Sequence, residues 1–270
     1  MPHQANFNNP IGVFDSGLGG LTVVKELLSV LPKENIIYFG DTARVPYGTK
    51  SRETIIRYSR EIVDVLLKHK VKMVVVACNT ASSLALDVLQ KECPVPIVGV
   101  IEPGARKATL STKSKKIGII ATQSTVRSGK YVRRIMDFEP KAKVSSQPCP
   151  LFVPLVEEGW FEHDITHRVA QEYLGPLKKK KIDALILGCT HYPLLKKIIA
   201  RVMGPQVILV DSAREVAMEV KNILSAKALL RSNNKAARHL YLVSDEPEMF
   251  KYRAVRFLGT NIKNVKKHSF

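Results

Sequence analysis

Two short apolar runs, Val71 to Ala77 and Ile182 to Leu187, each end at a cysteine: Cys78 directly and Cys189 one glycine later. This match constrains the fold more than any other feature of the chain. An apolar run of strand length between amphipathic stretches reads as a strand covered on both faces, as in a parallel sheet flanked by helices. The segments ahead of the two runs match as well. Ile11-Gly12-Val13-Phe14 precedes Ile117-Gly118-Ile119-Ile120 by 106 positions, and Cys78 precedes Cys189 by 111.

The order of elements between those anchors repeats. Ile11 to Phe14 reads as a strand that opens through Asp15-Ser16-Gly17-Leu18-Gly19-Gly20 into a helix. Leu21, Val24, Leu27, Leu28 and Leu31 share one face of it, and Pro32 stops it. A strand at Ile36 to Phe39, a helix from Thr54 to Lys70 and the strand ending at Cys78 follow. In the second half, a strand at Lys116 to Ala121 opens on Thr122-Gln123-Ser124-Thr125 and a helix through Ile135. An extended segment at Lys143 to Ser146, a loop through Val156-Glu157-Glu158-Gly159, a helix from Asp164 to Lys179 and the strand ending near Cys189 complete it. The chain thus reads as an internal duplication. It predicts an α/β fold of two similar lobes, parallel sheets flanked by helices, related by pseudo-twofold symmetry with the site in the cleft between them. A strand at Val207 to Val210, a helix from Asp211-Ser212-Ala213 to about Leu230, a strand at Arg238 to Val243 and a last short strand remain. They are assigned back to the first lobe, which gives 1–98 with 211–270 as one domain and 99–210 as the other.

Composition narrows the setting. Residues 1–10 are polar and do not read as a signal peptide, and no apolar run approaches the ~18 residues of a membrane span. A cytoplasmic protein without membrane partners is expected. The four cysteines form no Cys-x-x-Cys pair, and beyond Cys189 with His191 no close His/Cys cluster suggests zinc, so free thiols and no metal are expected. The net charge is +18, from 42 basic and 24 acidic residues. The basic residues gather only in small clusters, Lys113 to Lys116, Lys178 to Lys181 and Lys263 to Lys267. With no aromatic-interleaved patch or nucleic-acid motif, these are assigned to solvated loops and helix ends.

Cys78 and Cys189 each lie at the carboxyl end of a predicted strand, where parallel sheets bind ligands. Asn79-Thr80 follows the first, Thr190-His191 the second, and both lead into predicted helices. A helix N-terminus offers free N–H groups and partial positive charge, which lowers a thiol pKa and attracts carboxylates. Two equivalent lobes would set these thiols on opposite walls of one cleft, unbonded. Racemisation needs that arrangement, because one base removes the α-proton and an acid on the other face returns one. A positioned acid/base group contributes roughly 10²–10⁴-fold. The developing carbanion therefore needs donors on its carboxylate, each worth about 10²–10³. Ser16, Asn79, Thr80 and Thr190 are the candidates. Cys93 and Cys149 have no matched partners and read as small buried apolar groups.

At this point the motifs resemble those of the glutamate racemase family, within the aspartate/glutamate racemase superfamily. The resemblance is carried by Ile11 to Gly20, Gly40-Asp41-Thr42-Ala43-Arg44-Val45-Pro46-Tyr47-Gly48, Ala77-Cys78-Asn79-Thr80-Ala81-Ser82, and Leu187-Gly188-Cys189-Thr190-His191-Tyr192-Pro193-Leu194. Leu155-Val156-Glu157-Glu158-Gly159 and Val210-Asp211-Ser212-Ala213 also fit. It implies interconversion of L- and D-glutamate without pyridoxal phosphate, metal or any other cofactor, supplying D-glutamate for bacterial peptidoglycan, and hence cell-wall biogenesis and cell shape. By the same resemblance Asp15, Ser16, Tyr47, Gly48, Asn79, Thr80, Thr190 and His191 line the substrate site. Cys78 would act on the D-enantiomer with help from Asp15, and Cys189 on the L-enantiomer with help from Glu157 and His191. Residue type alone leaves Asp15 open as a turn residue, His191 as a packed histidine, Tyr47 as a wall or lid residue, and Glu158 as the residue facing the cleft in place of Glu157. An acidic amino-acid racemase of other specificity, and a non-catalytic anion-binding protein on the same fold, are the rival readings. A homodimer and a side role for the charge on nucleic acid stay open.

Overall fold

In the computed structural model, residues 6–233 and 235–270 are described; of the N-terminal segment read above, residues 1–5 lie outside that range. The first half runs β1 (Ile11–Asp15), α1 (Leu21–Val30), β2 (Ile36–Gly40), α2 (Arg52–Lys68), β3 (Met73–Val76), α3 (Asn79–Leu84), α4 (Leu86–Glu92), β4 (Ile97–Gly99) and α5 (Ile101–Ser111). The second runs β5 (Lys116–Ala121), α6 (Gln123–Ser128), α7 (Lys130–Phe138), β6 (Lys143–Pro148), α8 (Phe152–Glu157), α9 (Asp164–Lys179), β7 (Ala184–Gly188), α10 (Lys196–Met203) and β8 (Ile208–Val210). Then come α11 (Ser212–Ala226), β9 (His239–Val243), α12 (Pro247–Leu258) and β10 (Val265–Lys267).

The strands form two all-parallel sheets, ordered β10-β9-β2-β1-β3-β4 and β6-β5-β7-β8. The run β2-β1-β3-β4 in the first has the same order as β6-β5-β7-β8 in the second, which is the topological form of the repeat. Phe14 pairs with Val76 and Ile120 with Leu187, so the carboxyl ends of the two central strands stand side by side in each sheet. Those strands are apolar apart from Lys116 and Asp15 at their ends, because helices cover both faces; β1, β3 and β7 have no exposed residue. The final strands β9 and β10 extend the first sheet.

The sheets share a core. One apolar cluster runs from Ile11 and Val13 of β1, with Val24 and Leu27 of α1, through Val216 and Val220 of α11 to Leu185 and Leu187 of β7. Helix α11 starts from an Asp211 N-cap, whose carboxylate accepts from the Ala213 N–H at 3.0 Å.

The sequence reading did not anticipate β4, α5 or α12, and three expected elements take another form. The helix expected through Ile135 is two, because Gly129 takes φ +64 and turns the chain between α6 and α7. The first half of the expected loop at Val156 to Gly159 is the end of a helix: α8 includes Glu157, and Pro154 sits in its first turn, where the missing N–H costs nothing. The helix expected after Cys189 begins as a short 3-10 turn, Tyr192–Leu195, before α10.

The opposite end of the first sheet holds a charge that the sequence reading took for a strand residue. Lys72 is fully buried. Its Nζ donates to Glu34 Oε2 at 2.6 Å and to the carbonyls of Phe7 and Leu229, both at 2.8 Å. Glu34 also accepts from the Arg231 N–H at 2.9 Å. Lys72 therefore ties the start of β3 to three distant segments. Removing one partner of such a pair strands the other charge in the core, at a cost of about 3–5 kcal/mol. Lys72→Ala is expected to lose about that much stability in urea denaturation, and Lys72→Met with Glu34→Leu to lose much less. Equal losses for the two variants would contradict this account.

Candidate active site

A cavity of about 380 Å³ lies between the carboxyl ends of the two sheets. Cys78, just past β3, and Cys189, just past β7, both open into it, and both are free thiols. Ser16, Tyr47, Gly48, Asn79, Thr80, Glu157, Thr190 and His191 line it too. Among the sequence-derived site residues only Asp15 stands off the wall. As the last residue of β1 it is fully buried. Its carboxylate folds back to accept from the Gly17 N–H at 3.0 Å and from the Thr190 hydroxyl at 3.4 Å. Asp15 thus stands behind Thr190, close enough to act on the Cys78 thiol. Burial pushes its carboxyl above the usual range, against the pull of His191 and the N–H groups of Gly17, Gly20 and Ser16.

The two thiols have different surroundings. Cys78 caps α3, and its Sγ accepts from the Ala81 N–H at 3.5 Å. The helix terminus was expected to lower its pKa. Instead burial, with the Asp15 carboxylate adding to it, pushes this thiol up to about 12. Cys189 caps no α-helix; its Sγ lies 3.9 Å from His191 Nδ1. His191 Nε2 lies 3.0 Å from Glu157 Oε1, so the ring bridges a thiol and a carboxylate. Burial works against charge on this imidazole, but Cys189 and Glu157 outweigh it and raise the ring to about 10. Glu157, although burial opposes it, is held below its usual range by the same ring. Glu158 is exposed, so Glu157 is the residue that faces the cleft. His191 is a bonded partner of two cavity groups and not simply a packed histidine.

Tyr47 belongs to the wall. Its hydroxyl donates to Asp41, a buried carboxylate that also accepts from Arg44 Nε at 2.7 Å and Ser244 Oγ at 2.8 Å. Arg44 is itself held between the rings of Tyr58 and Phe270, 4.1 and 3.9 Å from their centroids. With that hydroxyl engaged, the tyrosine shapes the cavity more than it binds. Asn79 Oδ1 accepts from Tyr131 at 2.8 Å, which leaves its amide N–H groups as donors.

Thr122 and Gln123, at the start of α6, line the cavity and were not singled out from sequence. The Thr122 hydroxyl lies 3.0 Å from that of Thr80 in the other sheet's segment. The repeat offset of 106 carries Ser16 onto Thr122, and that signal could have found it. Pro150, Val153 and Pro154 supply apolar wall. Among the described residues no Lys or Arg lines the cavity; Lys113, Lys115 and Lys178 to Lys181 are exposed, in keeping with the solvated clusters read above.

Two glycines let the walls meet. A Cβ on Gly19 would stand 2.2 Å from the Thr190 hydroxyl and 2.6 Å from His191 Nδ1, and one on Gly48 would stand 2.8 Å from Thr122 Cβ. Ser124 Oγ then donates across the cleft to the Gly48 carbonyl at 2.7 Å. Among the described residues no group of three or more His, Cys, Asp or Glu is placed to hold a metal ion, and no helix is long and apolar enough to cross a membrane.

Residues 11–220 match the Asp/Glu/Hydantoin racemase family. A glutamate racemase of Geobacter metallireducens is 51% identical over 265 residues, covering 98% of this chain and 96% of that one. The crystal structure of a Bacillus anthracis glutamate racemase isoform superposes with a TM-score of 0.94 at 39% identity, covering 98% of each chain. That of the Francisella tularensis glutamate racemase, solved in complex with D-glutamate, gives 0.92 at 40% identity, covering 97% of this chain and 98% of that one.

The electrostatics generate a direct expectation. With its pKa raised to about 10, the His191 ring stays protonated well above the ordinary value of 6.5. Ring nitrogen shifts of ¹⁵N-histidine-labelled protein are expected to show one imidazolium persisting through pH 8 that is missing in His191→Asn. A His191 ring that titrates near 6.5 would contradict the balance of forces described here.

Proposed function

The chain belongs to the Asp/Glu/Hydantoin racemase family and is an isomerase, and from that premise we propose that it interconverts L- and D-glutamate by proton transfer between two thiols. The observation that carries this reading is the pair Cys78 and Cys189, at equivalent strand ends of a repeated fold, opening into one small cavity. A volume of about 380 Å³ lies at the lower end of ligand pockets, roughly 300–1,000 Å³. That suits a substrate of amino-acid size. The named activity of relatives that are about half identical over nearly the whole chain supports glutamate over other acidic amino acids.

The different surroundings of the thiols support a direction for each. Cys78, held high by burial and Asp15, is a thiol in the resting protein and serves as the acid. Cys189 faces the His191 ring, which is backed in turn by Glu157, and serves as the base. With the L-enantiomer bound, Cys189 as base removes the α-proton and Cys78 as acid protonates the opposite face to give D-glutamate. Both sulfurs are then in the opposite state, and the D-enantiomer returns by the reverse path. The α-carboxylate, where charge develops, is met by the neutral donors Ser16, Asn79, Thr80, Thr122 and Thr190, and among the described residues no Lys or Arg competes to fix it as a static salt bridge. In this scheme the thiols carry the proton transfer and no cofactor is called on. A cytoplasmic supply of D-glutamate for peptidoglycan goes with it. So does the division into 1–98 with 211–270 and 99–210, two lobes that face each other across the substrate.

Pure protein given L-glutamate and no added cofactor, with EDTA present, is expected to lose optical activity toward the racemate, and L-aspartate to react far more slowly. Cys78→Ser and Cys189→Ser are each expected to lose at least about 10²-fold in kcat, because a serine hydroxyl is too weak an acid to supply the anion. Faster turnover of aspartate than of glutamate would overturn the substrate assignment. Near wild-type turnover by either serine variant would overturn the two-thiol chemistry.

A further inference from the structure

The Glu157–His191 pair sits on segments of the second sheet, yet it is braced from behind by α12, which connects two strands of the first. The Phe257 ring meets the His191 ring edge to face, with centroids 5.6 Å apart and planes at 89°. Phe257 is buried, so its ring has little freedom to follow a moving partner. One residue earlier, Arg256 Nη1 donates to the backbone carbonyl of Glu157 at 3.1 Å. Glu157 is the last residue of α8, and the final carbonyls of a helix lack partners within it. A cation there is also favoured by the helix dipole. Gly159 follows with φ +80, and a Cβ on it would approach Arg256 Nη1 to 2.9 Å, so the turn admits the guanidinium because it carries no side chain. Arg253, one turn back on α12, adds positive charge that acts on the Glu157 carboxylate. Helix α12 is anchored in turn by Phe250, stacked on Tyr38 with centroids 6.0 Å apart, and by the buried Ala254.

We propose that Phe257 and Arg256 are positioning residues that hold His191 and Glu157 in line with Cys189. The proposal rests on the reading that Cys189 exchanges a proton in the cavity. Phe257 packs at right angles to the imidazole and holds its tilt between Cys189 and Glu157. Arg256 fixes the end of α8, and with it the carboxylate that faces His191 Nε2. Both act through the pair and touch no substrate. Misplacement of a catalytic group by about 1 Å can cost roughly 10²-fold, so loosening the brace acts on kcat more than on KM.

The test uses Phe257→Leu, which keeps apolar bulk and removes the ring, with Arg256→Met and Arg256→Lys. Racemisation of L-glutamate and the ring N–H resonances of ¹⁵N-histidine-labelled protein are measured on each. Phe257→Leu and Arg256→Met are expected to lose about tenfold in kcat, part of the 10²–10⁴ or so that a positioned acid/base group contributes. Their KM is expected to move less than about threefold, and the His191 resonance to shift or broaden. Arg256→Lys, which keeps a donor for the Glu157 carbonyl, is expected to recover most of the rate and the wild-type resonance. Arg256 is exposed, so its variants keep the test open if Phe257→Leu fails to fold. Wild-type kcat in Arg256→Met, a loss of kcat with the His191 resonance unmoved, or no rescue by lysine would each overturn the proposal. If the wild type racemised no amino acid, the reading of Cys189 would fail, and the resonance alone would still decide whether α12 holds the ring.

Discussion

An imidazole buried between a carboxylate and a thiol, at the seam of two sheets, sets the terms for the rest of this structure. A charged ring out of water is costly unless its partners are fixed around it. Here Glu157 and Cys189 occupy its two nitrogens, and Asp15 lies close enough for its charge to be felt. Those partners arrive from β1, α8 and the end of β7. Bringing them together needs a backbone that approaches the ring more closely than a side chain allows, and Gly19 supplies it. It also needs two sheets held in fixed relation, which the shared core through α1 and α11 provides. The glycine-rich turn after β1 thus does steric work at the seam.

Duplication gave the two halves one topology but not one chemistry. The order β2-β1-β3-β4 is repeated by β6-β5-β7-β8, and a cysteine follows the third strand of each unit. Past the cysteines the halves diverge. Asn79 continues directly into α3, and the Cys78 sulfur sits over an N-terminal N–H. After Cys189 the chain turns through Thr190 and His191 into a 3-10 helix, which brings an imidazole to the second sulfur. A reaction whose two directions are mirror images can use such a pair, because each turnover exchanges the roles of acid and base between the sulfurs.

The parts legible in the sequence were those with a continuous local signal. The runs ending at Cys78 and Cys189 stand out because strands covered on both faces are apolar throughout, and the repeat offset placed them in equivalent positions. The brace was less legible. In α12, Phe250, Ala254, Phe257 and Leu258 have helical spacing behind Pro247, but charged residues between them hide the pattern. The segment of α8 is short and read as a loop, and β4 is only three residues long. The choice between Glu157 and Glu158 was closed to any argument from alternation, because in a helix neighbours differ by about 100° and the packing of α8 decides which one faces the cavity. The pKa of Cys78 was misjudged for a related reason. A sequence shows that a helix begins there, but the depth of burial that outweighs the helix terminus is a property of the assembled fold.

Two thiols on opposite faces make one demand that no single base meets: the proton that arrives at the α-carbon is not the one that left. The most direct measurement is the isotopic content of the first product formed from L-glutamate in heavy water, sampled at low conversion. The account predicts D-glutamate that carries deuterium at the α-carbon while unreacted L-glutamate keeps its protium, because the arriving hydron comes from a solvent-exchanged Cys78. D-glutamate that retains most of the original α-hydrogen would show one group acting on both faces, and would contradict the account.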